Sequence, residues 1–147
     1  MGPVMARTGK QREPETSEPA ILSLADLAKQ SQIDFELDFF GQILDRHPLF
    51  FEALRVHSSN LVARRRYQES LQVERRIIQL RPKDALAHYN LACSYAVLTQ
   101  PDLALSTLRK ALEYGYRDFR YIRQDRDLDP LRKDPRFKKL LREFEQV

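Results

Sequence analysis

The sequence has a single cysteine, four glycines and no tryptophan in 147 residues, and each scarcity excludes something. Cys93 alone cannot close an internal disulfide, so the fold does not depend on an oxidising compartment and a cytoplasmic setting is expected. So few glycines leave little material for phosphate-cradling loops or for the many tight turns of an all-β domain, which favours helices. No apolar run approaches the roughly 18 residues of a membrane-spanning helix. Residues 1–19 carry Pro3, Gly9, Pro14 and Pro19 where a secretory leader needs its apolar segment, so neither secretion nor membrane insertion is expected. Gly2 invites a myristoylation reading, but the pattern wants Ser or Thr at the sixth position, where Ala6 stands.

What is present fits an ordinary globular chain. Hydrophobic residues make up 42% and charged ones 31%, enough apolar surface for one core, and the length suits one domain or a short repeat array. Lys plus Arg number 25 against 21 Asp plus Glu, a net +4 that is mild beside a dedicated nucleic-acid binder. Residues 1–19 are polar and proline-rich without a periodic apolar face and read as a disordered tail. The rest, residues 20–147, reads as helix and short turn.

The informative fact is a spacing. Pro48 and Pro82 each close a stretch of helical periodicity, and the step between them, taken once more, lands on Tyr116. That step matches the period of roughly 34 residues that marks a helix-turn-helix repeat. Proline fits such a boundary because it lacks an N–H and disfavours helical geometry in the residue before it. Asp84 stands where an N-cap is wanted, and Pro101 suits the first turn of a second helix.

Across residues 85–118, His88, Leu91, Ala92, Tyr95, Ala104, Leu108, Ala111 and Tyr116 follow one another at a set spacing, and on these residues the segment resembles a tetratricopeptide repeat. The tryptophan, glycine and proline of that pattern are replaced. The small residues let two antiparallel helices approach while Leu91, Tyr95 and Leu108 fill the space between them. Residues 51–84 match less well, with Leu54, Ser58, Leu61, Tyr67, Ser70, Ile77 and Pro82 compatible, but His57 in the leucine place and Glu74 in a bulky place. Residues 20–50 read as a degenerate hairpin, with a weak first helix over 20–30. Residues 119–147 lose the signature and resemble the terminal element that closes bacterial arrays of this kind, its last helix carrying Phe137, Leu140, Leu141 and Phe144 on one face. The expected fold is therefore all-α, a right-handed superhelical array of about three antiparallel hairpins with a C-terminal capping helix.

Motifs that would carry chemistry are weak. Asp125, Asp127 and Asp129 are spaced like the start of a calcium loop, but Pro130 stands where glycine is needed and Arg136 where a bidentate Glu is needed. His47, His57 and His88 lack second ligands at metal spacing, and Cys93 has no partner that would make it a nucleophile. The sequence offers no GxxxxGK[ST], HExxH or GxSxG pattern. No catalytic residue, cofactor or metal ligand is assigned, and no enzyme activity is expected. Arg64, Arg65 and Arg66 with Arg75 and Arg76 form the strongest basic cluster, which Glu69 and Glu74 interrupt. A basic, nucleic-acid-associated protein is the alternative reading, and a solvated or partner-facing surface is preferred.

The resemblance implies a non-catalytic adaptor that binds a protein or peptide in the groove lined by the first helices of successive repeats. Glu52, Arg55, Ser59 and Val62 would contribute from one repeat, and Leu86, Tyr89, Asn90, Cys93 and Val97 from the next. Tyr89, Cys93 and Val97 fall at i, i+4 and i+8 and read as an apolar stripe turned toward the groove. Family members that hold the acidic C-terminus of chaperones use basic and Asn residues on three groove helices. Arg55, Asn90 and Arg120 fit that pattern, whereas Ser59 and Gln124 depart from it. A partner with acidic or C-terminal carboxylate groups is expected, no membrane is, and self-association stays open.

Overall fold

The structure, a computed structural model, describes residues 23–146. The tail expected over 1–19 lies outside these residues. Seven α-helices and one 3-10 turn follow in chain order, with no strand among the described residues. They are α1 Leu24–Arg46, α2 Phe51–Ala63, α3 Tyr67–Leu80, α4 Ala85–Val97, α5 Pro101–Glu113, α6 Phe119–Gln124, the 3-10 turn Arg126–Leu131, and α7 Pro135–Glu145.

The expected hairpin over residues 20–50 is corrected by α1, which runs unbroken for 23 residues. Ser23 starts it with a capping box, its hydroxyl accepting from the Asp26 N–H while the Asp26 carboxylate accepts from the Ser23 N–H. Between Leu24 and Phe40 there is no proline and no glycine, so nothing supplies the break that a hairpin needs. Pro48 follows the C-cap His47 and ends the helix.

From α2 onward the helix starts keep one register. Phe51, Ala85 and Phe119 open the first helices, and Tyr67, Pro101 and Pro135 the second ones, each one repeat period after the last. The terminal element, which carries no repeat signature in its sequence, thus occupies the place of a third pair. Its first helix stops at Asp125 and continues as a 3-10 turn containing Pro130, a residue that cannot donate to an α-helical ladder. The turns within the first two pairs are also alike. Arg65 and Thr99 both take φ of 58°, in the left-handed region. The next N–H of each, from Arg66 and Gln100, donates five residues back to Leu61 and Tyr95 at 2.8 and 2.9 Å, closing a Schellman cap.

Two apolar cores result. Leu44, Ala53, Leu54, Leu61, Val73, Ile77 and Ala87 join α1 to the first pair. The larger core joins Leu91, Ala92 and Tyr95 of α4 and Leu108, Ala111 and Leu112 of α5 to Ile122, Leu128, Leu131, Phe137, Leu140 and Leu141 of the terminal element. Ala92, Ala104 and Ala111 are fully buried where α4 and α5 approach, as small residues at a close helix crossing must be.

Candidate interaction surface

The first helices α2, α4 and α6 present equivalent positions one period apart, so exposed side chains on them form rows across the repeats. Glu52, Leu86 and Arg120 make one such row, and all three are exposed, Leu86 by 45%. One helical turn along each helix, half-buried Val56 and Asn90 and exposed Gln124 make a second row. Ser59 is exposed beside them on α2, and Val97 is half-buried at the far end of α4.

The stripe expected to line the groove lies elsewhere. Tyr89 is 2% exposed and Cys93 is 6% exposed, because the terminal element covers both. The Tyr89 hydroxyl donates to Asp125 Oδ2 at 2.6 Å, and Cys93 Sγ lies 3.6 Å from the same oxygen. Tyr89 stacks on Tyr116 with ring centroids 4.2 Å apart and planes 5° from parallel. Burial raises both tyrosine pKa values, Tyr116 to about 12, and pushes the Cys93 thiol well up, so the thiol is an inert packing group. Of the predicted groove residues, Tyr89 and Cys93 thus belong to the core, and Leu86, Asn90, Ser59 and Arg120 remain on a surface.

Arg55 is half-buried and committed to its own chain. Its guanidinium pairs with Asp84, whose other carboxylate oxygen accepts the Ala87 N–H at 2.8 Å as the N-cap of α4. Arg55 therefore ties α2 to the start of α4 and is not a free cation for a ligand. Beneath it, Glu74 of α3 is fully buried and accepts a hydrogen bond from Ser58. Burial raises the Glu74 pKa to about 7, against the opposing pull of Ser58 and Arg55.

The other motifs of the sequence are absorbed by packing. Asp127 accepts from the Tyr67 hydroxyl at 3.0 Å, which with Asp125 on Tyr89 ties the terminal element to the array, whereas Asp129 accepts from Arg132 at 2.7 Å within that element. His88 is buried with Nε2 2.7 Å from the Pro82 carbonyl oxygen. In the arginine cluster, Arg64 pairs with Asp34 at 2.6 Å, Arg66 with Glu69 at 2.6 Å, and Arg75 donates to the Tyr95 hydroxyl at 3.0 Å. Three of its five members are therefore held by neighbours.

A cleft of about 400 Å³ opens between α1, α2 and α3, lined by Gly41, Leu44, His57, Leu61, Glu69 and Arg76 among others. Gly41, without a side chain, and Leu61 stand one period before Arg75 and Tyr95, whose side chains meet through a hydrogen bond at 3.0 Å. Burial lowers the His57 pKa, so that imidazole sits neutral at the cleft wall.

No family model matches the sequence. Over 84 residues the chain is 39% identical to a chloroplastic protein of Arabidopsis thaliana, a match that covers 55% of this chain and 25% of that protein. The chain thus spans about a quarter of the length of this curated relative. The cytoplasmic expectation, drawn from the cysteine count and the lack of an apolar leader, meets a relative that is chloroplastic. No helix among the described residues is long and apolar enough to cross a membrane. Among solved structures, the chain resembles a double mutant of MamA RS-1 with a TM-score of 0.59 and a form of MamA from Desulfovibrio magneticus RS-1 beginning at residue 41 with a TM-score of 0.58. Both are 22% identical, and both matches cover 83% of this chain and 71% of the other. The fold is therefore all-helical and resembles that of MamA, a tetratricopeptide-like helical repeat.

Proposed function

We propose that this chain is a non-catalytic protein or peptide interaction module whose ligand lies along the rows Glu52, Leu86, Arg120 and Val56, Asn90, Gln124. The observation that carries the reading is that Glu52, Leu86 and Arg120 are exposed, with Val56 and Asn90 half-buried and Gln124 exposed beside them, at equivalent positions on successive first helices, the elements that line the concave surface of a repeat array. The first row is polarised, with a carboxylate at one end, an exposed leucine in the middle and a guanidinium at the other end, while the second row is uncharged. A complementary ligand places an apolar side chain over Leu86 and a carboxylate against Arg120, with Asn90 offering hydrogen bonds between them. The buried latch of Tyr89 on Asp125 supports this by holding α4 and the terminal element in fixed relation, so the rows are pre-organised.

Photocrosslinking tests it in the native cell. With a photoreactive phenylalanine in place of Leu86, the full chain is expected to yield a discrete protein adduct that survives nuclease treatment. Arg120→Glu in the same chain should reduce the adduct about tenfold, the scale of a 1 to 2 kcal/mol contact. Equal capture from the exposed Ser106 of α5, or an adduct that nuclease removes, would sink the reading.

A further inference from the structure

Helix α1 is apolar on two faces. Toward α2 it presents Leu37, Phe40, Ile43 and the buried Leu44. On the opposite face Leu24, Ala28, Phe35 and Phe39 fall within one stripe, at i, i+4, i+11 and i+15. Leu24 is 86% exposed, Phe35 68% and Phe39 48%. The Phe35 and Phe39 rings stack with centroids 5.9 Å apart and planes 11° from parallel, which makes a flat aromatic platform in solvent. The stripe runs about 22 Å along the helix at 1.5 Å per residue. A helix of a single-sided array needs one apolar face, so a second one calls for a second packing partner.

The charges beside the stripe say what that partner carries. Residues 24–46 hold five acidic side chains, Asp26, Asp34, Glu36, Asp38 and Asp45, against two basic ones, Lys29 and Arg46. Asp34 is ion-paired with Arg64, Glu36 accepts from Asn60 at 2.8 Å, and Asp26 completes the helix cap. Asp38 and Asp45, seven residues apart, are exposed on one flank of the stripe. Arg46 is exposed on the same face at the stripe's C-terminal end, but a second copy of α1 laid in parallel along the stripe would set Asp38 and Asp45 against their own counterparts, which disfavours that pairing. The exposed side of α7 is charged throughout, with Lys138, Lys139 and Arg142, and has no apolar seam to match the platform.

We infer that this outer face of α1 is a second docking surface, for an amphipathic helix of a partner protein whose apolar seam is flanked by lysine or arginine. The seam covers Phe35, Phe39 and Leu24, and the basic flank meets Asp38 and Asp45. This surface is separate from the inner rows, so its failure leaves the Leu86 crosslinking result untouched.

The test uses the full chain and two fluorescent synthetic helices of about 18 residues with the same leucine seam, one flanked by lysine and one by glutamate. The lysine-flanked helix is expected to bind at least tenfold tighter than its twin. Phe35→Ser with Phe39→Ser should weaken it at least tenfold while the circular-dichroism melting curve stays in place, since both rings are exposed. Asp38→Lys with Asp45→Lys should reverse the preference between the two helices. Equal binding of both helices, or binding of neither, would overturn the inference. So would sedimentation showing a dimer of the chain that the phenylalanine variant dissolves, since a second copy would then be the occupant.

Discussion

Replacing Leu140 by aspartate is expected to lower the unfolding free energy by about 4 kcal/mol or more, combining lost burial with an unpaired charge placed in the core. Leu140 is 3% exposed and joins Phe137 and Leu141 in the larger core. Two ion pairs also hold α7 to α5, Arg136 to Asp102 at 2.8 Å and Arg109 to Glu143 at 2.9 Å. Both are largely exposed, and pairs of that kind contribute roughly 0 to 1 kcal/mol, so the apolar seam decides whether the terminal element stays docked. Leu103→Asp on the exposed side of α5 is the matched control and should cost under about 1 kcal/mol. Urea titration of both variants measures the difference, and equal losses would mean that α7 does not seal the array.

The second large effect is a pH dependence centred on Glu74. Its folded pKa is raised to about 7 from an ordinary value near 4.5, because burial disfavours the carboxylate. The folded chain therefore binds this proton where the unfolded chain has released it. The contribution is full below pH 4.5, is lost as pH rises toward 7, and stays absent above. The loss is on the order of 3 kcal/mol. Glu74→Gln keeps an acceptor for Ser58 and removes the charge, so the variant should be more stable than the parent at pH 8 and similar to it at pH 4.5. Stability curves of the two chains across that range provide the check, and parallel curves would mean that Glu74 ionises freely in the fold.

Much of the architecture is legible in the sequence, for local reasons. Pro48, Pro82 and Pro101 punctuate helices by removing donors, and Ala92, Ala104 and Ala111 mark where two helices touch, so period and hairpin follow from residue chemistry alone. Even Glu74 stands out in the sequence as a charge in a bulky place, and its burial is the physical outcome. Other features depend on contacts distant in sequence. Asp125 lies 32 residues from Cys93 and 36 from Tyr89, and helical periodicity cannot show that a later segment will cover them. An i, i+4, i+8 stripe reads the same whether it faces a ligand or a neighbouring repeat. A better signal was present in the spacing, because Asp118 follows Asp84, and Pro135 follows Pro101, by the same single period, which places a third pair over the stripe. The unbroken α1 was hidden for a different reason. Its apolar residues surround the helix, so periodicity marks no single buried face, and the absence of a breaker before Gly41 was the informative feature.

The terminal element closes over Tyr89 and Cys93 and leaves the Leu86 row as the open surface, and on this the whole functional reading depends. Cys93 is the chain's only thiol, so its rate of reaction with a thiol reagent reports that cover without ambiguity. In the folded full chain the thiol is expected to react at least about 100-fold more slowly than in urea, with Asp125→Ala accelerating it by loosening the latch. A folded chain whose Cys93 reacts as fast as the unfolded one would contradict the account, and would return the groove to the stripe of Tyr89, Cys93 and Val97.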